Sequence, residues 1–392
     1  MRAAYQARAH DIPTSLASVY NKRHGLETPT SAELVRDSAM QCAPLSARVG
    51  GEREPGLAGH RVKSIDGHCI EASQGRLGAL RAVHAAALPG KSLGVYEPAG
   101  GLGTDVVPCA DGHAQERSLC KALVPTAQAD DLWSADRNFC PREVLAALHG
   151  RGALFVMREH QGLPCELVSP RGAEHRLATG RVAAPRLRFV DTNGHVYRGR
   201  RRRLQLTEAT RAGETLRYIL TNVPRQTAST ACVAELYRTR WSLETACKHI
   251  EAYFHAEITT LGSPKAALFG FCLAWVAYNV LAVVMAALRG VHGQEKIDQE
   301  VSLDYVANDI ATTSPGMLMA IPEAAGSVFS TMRSSALAKT LIELAPHVRL
   351  DALRKSPARA RKSRSTPARS PKKGHVSTAK LLKSHKAKAS AP

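Results

Sequence analysis

Between Lys265 and Arg289 the chain runs from Ala266 to Leu288, 23 residues, without a formal charge. This stretch limits the fold more than any other. As a helix it would be about 35 Å long at 1.5 Å per residue, enough to cross a bilayer. It therefore either spans a membrane or is covered by protein on most sides. Asn279, Gly270 and many alanines lie within it and weaken insertion. The charged helix before it has no topogenic character. The expectation is a fully buried helix of a soluble core, with no membrane partner.

Covering such a helix takes a sizeable core. The chain has 392 residues, 44% of them hydrophobic, which is enough for two or three domains. Residues 1–60 read as mixed helix and loop, with Ser31–Gln41 helical and Gly50–Gly59 a loop. Short extended runs follow at Arg61–Ile65, Ser92–Tyr96, Thr104–Pro108, Leu132–Ala135 and Ala153–Met157. The glycines at 100, 101 and 103 signal a hairpin. Helical runs at Ala114–Leu123 and Pro141–Leu148 alternate with these strands, and that alternation says α/β. Residues 161–225 are strand-rich and read as an inserted subdomain. Thr230–Phe254 reads as one long helix. The divisions expected are 1–60, 61–160, 161–225, 226–290, 291–351 and 352–392.

Charge points to the partner. The formal net charge is +19, which favours a polyanion such as DNA over a small neutral substrate. Residues 352–392 hold 13 basic and no acidic residues, so this tail is expected to be disordered and to contact phosphates without sequence preference. A second cluster, Arg198, Arg200, Arg201, Arg202 and Arg203, falls between strand-like runs. It reads as a phosphate clamp on a loop or as a solvated hairpin edge. The nine cysteines include no C-x2-C pair. That speaks against a zinc ribbon or a secreted disulfide framework and for reduced thiols in the cytoplasm. The first residues carry no apolar run of the signal-peptide kind. No G-x4-G-K loop and no H-E-x-x-H occur, so neither ATP nor a zincin site is implied.

Two acidic residues follow strand-like runs, Asp66 and Asp136, and carboxylates at neighbouring strand ends can hold a hard divalent ion. Taken singly, Asp66-Gly67 is a turn signal and Asp136 a helix cap. The long helix adds weight. Tyr237, Arg240, Glu244, Lys248 and Glu251 fall within a sector of roughly 80° at 100° per residue. Leu236, Leu243, Cys247, Ile250 and Phe254 form the adjacent apolar stripe. For an ordinary helix the i,i+4 pairs of a solvated face would explain this pattern.

The helix resembles the Tyr-x2-Arg-x3-Glu-x6-Lys motif of DDE transposases of the bacterial insertion-sequence type, the IS-four group. Ala135–Cys140 resembles the second-Asp motif of that family and Ser64–Gly67 its first. Leu88–Leu93 and His113–Arg117 also look familial. The resemblance covers about 61–290 and implies an RNase H-like core with a β-rich insertion before the Glu. It makes Asp66, Asp136 and Glu244 the catalytic, metal-binding triad for two Mg2+ ions, with Mn2+ as a substitute. Tyr237, Arg240 and Lys248 would grip phosphate. The implied activity is cleavage and strand transfer of double-stranded DNA at terminal inverted repeats, by a homodimer, in the bacterial nucleoid. An inactive, transposase-derived DNA-binding protein is the alternative. Glu251 stands where the motif has Lys, with Lys248 one turn earlier. Residues 1–60 are expected to be a shortened DNA-binding region. No Trp lies between Asp136 and Arg240, so Phe189, Tyr197 or Tyr218 would serve for base stacking.

Overall fold

The computed structural model describes residues 5, 10–22, 25–70, 90–160, 162–163, 165–169, 174–177, 180–183, 186–190, 194, 196–207, 213–258, 261, 263–320, 328–329, 331–356 and 377–389. Two helices come first, α1 (Leu16–Lys22) and α2 (Thr28–Arg48). The strands β1 (Arg61–Ile70), β2 (Gly90–Glu97) and β3 (Leu102–Cys109) follow. Next come α3 (Glu116–Leu123), β4 (Asp131–Ala135), α4 (Arg142–Gly150) and β5 (Leu154–Arg158). Six further strands are β6 (Glu166–Ser169), β7 (Glu174–Leu177), β8 (Gly180–Ala183), β9 (Arg186–Val190), β10 (Val196–Leu206) and β11 (Leu216–Thr221). The chain then turns helical: α5 (Thr230–Thr239), α6 (Trp241–Phe254), α7 (Pro264–His292), α8 (Gln294–Glu300), α9 (Leu303–Ala320), α10 (Ser334–Leu344) and α11 (Thr378–Ala389).

Among the described residues eleven strands join one mixed sheet. Its main path runs β3-β2-β1-β4-β5-β11-β10-β8-β7. The strands β1, β4 and β5 are parallel neighbours, while β1–β2, β2–β3 and β5–β11 are antiparallel. Alternate residues of the parallel strands feed opposite cores, as a period of two requires. Ile65, Trp133 and Phe155 pack with Cys120 and Leu145 of α3 and α4. Leu132 and Val156 pack on the other face with Val233, Leu236 and Tyr237 of α5.

The apolar helix α7 is the centre of the second face. It is long and apolar enough to cross a membrane by composition alone, yet 72% of its most apolar window is buried within the fold. Its ring residues Phe271 and Trp275 lie in one cluster with Ala32 and Val35 of α2 and with Leu243 and Ile250 of α6. The single amide in the stretch explains itself. Asn279 is fully buried, accepts from the Gly103 N–H at 2.8 Å, and donates to the Gly103 carbonyl and to Ser38 Oγ, each at 2.9 Å. It ties α7 to β3 and α2 with no polar atom of its own left over. The approach is so close that a Cβ on Gly103 would overlap the Trp275 ring.

Four expectations change. Asp66-Gly67 is no turn: β1 continues to Ile70, with Asp66 opposite Gly94 of β2. The segment 161–225 does not stand apart as a subdomain. Through β11 it extends the main sheet, Leu220 pairing with Met157. The long helix is broken at Arg240. There the Arg240 N–H donates to Tyr237 O and the Leu243 N–H to Arg240 O, i to i−3 bonds that tighten the turn. Finally, part of the tail expected to be disordered is helical, α11. Its start is anchored where Ser377 Oγ and the Thr378 N–H donate to Asp111, at 2.6 and 3.0 Å. Residues 357–376 of that tail, and Leu88 and Pro89 of the Leu88–Leu93 segment, lie outside the described residues.

Candidate active site

The register of the parallel strands positions the first two acids. Ile65 pairs with Ala135, so Asp66 and Asp136 come to the same level on strands about 4.8 Å apart. Ala135 pairs with Met157, which brings Arg158 to that level on the third strand. Arg158 Nη1 lies 3.8 Å from Asp136 Oδ1 and its Nη2 lies 2.5 Å from Glu214 Oε1. Arg137 and Arg217 approach Glu214 as well, at 3.7 and 3.6 Å.

The third acid arrives from above the sheet. The break between α5 and α6 turns the buried Arg240 inward. Its Nη2 donates to Glu244 Oε1 at 2.8 Å and its Nη1 lies 3.6 Å from Asp66 Oδ2. Tyr237 is buried, and its hydroxyl donates to Asp136 Oδ1 at 3.5 Å. One guanidinium is thus bracketed by the acids of the row and the helix. Burial by itself would lower the Arg240 pKa. Tyr237, Asp66, Glu244 and Asp136 outweigh that and hold it above the ordinary value.

Asp66 is the strained member. Burial, opposed by Arg240 and the Gly67 N–H and reinforced by Glu244 and Glu116, pushes its carboxyl up to about 6. Three elements thus present carboxylate oxygens, from Asp66, Asp136 and Glu244, around one guanidinium, and oxygen ligands of this kind fit a hard divalent ion. The three carboxylates do not close on one point as they stand. Among the described residues, the group whose ligand atoms all lie within 4.8 Å of one another is His68, Glu251 and Glu257. There His68 Nδ1 faces Glu251 at 3.2 Å and Nε2 faces Glu257 at 3.0 Å. The ring, stacked on Phe271 with centroids 4.8 Å apart, bridges two carboxylates from opposite edges.

A family model described as the transposase DDE domain matches residues 60–280, more than half of the chain. The chain belongs to the transposase DDE domain family. The DDE domain takes in β1 through most of α7, and with them the whole site. No curated protein matches the chain. The family implies an RNase H-like fold, a polynucleotidyl-transferase type of enzyme and DNA as its partner, and DDE domains use divalent metals.

The DDE domain treats the expected DNA contacts unevenly. Lys248 is exposed on α6. Tyr237 and Arg240, expected to grip phosphate, are instead buried and engaged with the acids. The arginine cluster is not on a loop but within β10. Arg202 is 1% exposed and donates to Thr230 Oγ1 beneath the sheet. Arg200 donates to the Val223 carbonyl. Arg201 forks onto Glu159 at 2.6 and 2.9 Å and covers the Tyr218 ring. Arg198 and Arg203 are the exposed members. None of the three aromatic stand-ins presents an open ring. Phe189 is buried with Tyr197 stacked on it at 5.4 Å, and Tyr218 lies under Arg201.

Sequence reasoning missed Arg158 and Glu214. A cation at the last position of a strand beside the Asp136 strand was the available signal for Arg158. Glu214 carries no motif and is found only through its three arginines.

Proposed function

We propose that this DDE transposase cleaves and joins double-stranded DNA at the terminal inverted repeats of an insertion element of the IS-four type, acting as a homodimer on the DNA. The observation that carries the reading is the level row Asp66–Asp136 on adjacent parallel strands, facing Glu244 across Arg240. Asp66, Asp136 and Glu244 would hold the divalent ions, Mg2+ or Mn2+, and when bound these supply Lewis-acid stabilisation of phosphodiester oxygens.

The chain's own residues set the rest. Tyr237 orients Asp136 through its hydroxyl, and Arg158 stands beside the same carboxylate at 3.8 Å. Arg240 is a planar fork in a nearly dry position, suited to a phosphate once it leaves a carboxylate. Lys248, Arg198 and Arg203 lie exposed for the backbone of the duplex.

One observation favours a second reading, an inactive DNA-binding descendant. Arg240 already compensates two of the three acids, and Glu251 is held by His68. A single experiment separates the two. Purified protein is incubated with Mg2+ and DNA carrying the repeats that flank its gene. Nicking or excision that Asp136→Asn abolishes supports the transposase. Salt-dependent binding with no cleavage in either protein selects the inactive reading.

A further inference from the structure

On the side of α6 turned away from Glu244 lies a cavity of about 590 Å³. That volume is in the range of small-molecule sites. Its walls come from α6, α7, the loop holding Arg53, and the segment Ile297–Leu303. Glu244 and the lining residues Ser242, Thr245 and His249 diverge by 100–160° around α6, taken at about 100° per residue. The cavity and the acid row therefore share a helix and no side chain.

Its charge is unbalanced. Arg53, Arg289 and Lys355 line it, and among the described lining residues Asp298 is the single carboxylate. Both oxygens of Asp298 are taken by Arg53, at 2.8 and 3.0 Å, and Arg289 Nη1 stands 3.8 Å away. Arg289 is 5% exposed, and its Nη2 has no hydrogen-bond partner. Burial and the nearby Arg53 push its pKa down to about 10, the mark of a buried cation without full compensation. Lys355 donates to the Asp298 carbonyl at 2.6 Å on the rim. The remaining wall is aromatic. Tyr278 and Tyr96 are buried in it, and His249 is stacked on Tyr253 with centroids 5.2 Å apart. The buried Nδ1 of His249 is likewise without a partner.

We propose that this cavity binds a small phosphate-bearing aromatic molecule, of the nucleoside monophosphate class. The phosphate would complete the charge of Arg289, Arg53 and Lys355, and the base would lie on the tyrosines and meet the His249 nitrogen. Two unpartnered donor-capable groups in one cavity, Arg289 Nη2 and His249 Nδ1, with three cations against one acid, ask for an anion that also hydrogen-bonds. The aromatic wall distinguishes a nucleotide from a bare phosphate. The proposal stands apart from DNA cleavage.

The test is calorimetric titration of the full chain, in parallel, with AMP, adenosine, inorganic phosphate and a 5′-phosphorylated single-stranded oligonucleotide. AMP is expected to bind at least tenfold more tightly than adenosine and than inorganic phosphate. Asp66→Asn is expected to leave that affinity unchanged. Lys355→Ala, at an exposed position, and Arg289→Gln are each expected to weaken it tenfold or more. If Arg289→Gln does not fold, His249→Ala takes its place. The proposal is overturned if AMP fails to bind at millimolar concentration, if phosphate binds as tightly as AMP, or if Lys355→Ala and His249→Ala leave affinity untouched. It is also overturned if the oligonucleotide alone binds, which would make the cavity a strand-end site.

Discussion

Arg240 reaches forward one helical turn to Glu244 at 2.8 Å, and the same guanidinium extends to Asp66 at 3.6 Å. A side chain that belongs to the helix thereby neutralises an acid of the helix and an acid of the sheet. The cation sits where the family's divalent ions would be expected to act. Its side chain is 7% exposed, so these attractions are weakly screened.

Arg240 and a metal compete for the same carboxylates. Arg240→Gln is expected to tighten Mn2+ binding by about tenfold, since two acids lose their resident cation. DNA cleavage should fall in the same variant, because the fork proposed to hold phosphate is gone. Mn2+ titration followed by electron paramagnetic resonance reads the first effect. An affinity equal to that of the parent would show that the metal and Arg240 do not share ligands.

Asp66 gives the fold a pH dependence of known sign. Its folded pKa, about 6, lies above the ordinary aspartate value of 3.8. Between these values the folded protein holds a proton that the unfolded chain has lost, so stability falls as pH rises through this window. Asp66→Asn removes the titration. The variant is expected to gain on the parent by roughly 1–3 kcal/mol between pH 4 and pH 7. Denaturation midpoints at each pH test this, and a constant gap across the window would refute the assignment.

The arginines of β10 should separate into two kinds. Arg202 is buried beneath the sheet. Burial, with Arg200 and Arg225 nearby, pushes its pKa down to about 10, and two of its nitrogens lack partners. Arg202→Met is expected to be neutral or stabilising by about 1–2 kcal/mol and to leave DNA affinity unchanged. Arg198→Ala and Arg203→Ala should leave stability unchanged. Each should lower the slope of log affinity against log salt by about 1 if the residue contacts a phosphate.

Gly103 tests the seating of α7. An added methyl would overlap the Trp275 ring within a packed layer, so the ring or the strand must shift. Gly103→Ala is expected to cost about 1–3 kcal/mol. A lowered urea midpoint with an unchanged slope would report this. Gly150→Ala, where an added Cβ meets no atom within 4 Å, serves as the control.

How far the chain could be read from its residues follows the range of the forces involved. The apolar run of α7 identified a core helix because burying it satisfies one face after another along a single element. The strands were visible from alternation and punctuation, and Asp136 followed its strand as expected. Asp66 misled because Asp-Gly is a local turn signal, and the partner strand β2, about 30 residues on, overrode it. The break at Arg240 was invisible because no Gly or Pro marks it, and the carboxylate its guanidinium meets there comes from β1. The arginines of β10 looked like a charge patch. Which of them face water is set by strand pleat and by Thr230, Glu159 and Tyr218, none of which a charge count reveals. The Glu–Arg spacing in α5 and α6 was legible, while the junction that turns Arg240 into the site was not.

The seating of α2 on α7 has a consequence for biosynthesis. Ala32 and Val35 share a core with Phe271 and Trp275, and Ser38 accepts from Asn279. More than 200 residues separate the two helices along the chain. A ribosome adding about 5–20 residues per second leaves the face of α2 that meets α7 uncovered for on the order of 10–40 s. For that interval its apolar face, and the β3 edge that α7 covers, are open to chaperones or to other nascent chains. The exposure ends in two steps, because Ala338 and Leu341 of α10 close over α2 and α7 only after α7 is seated.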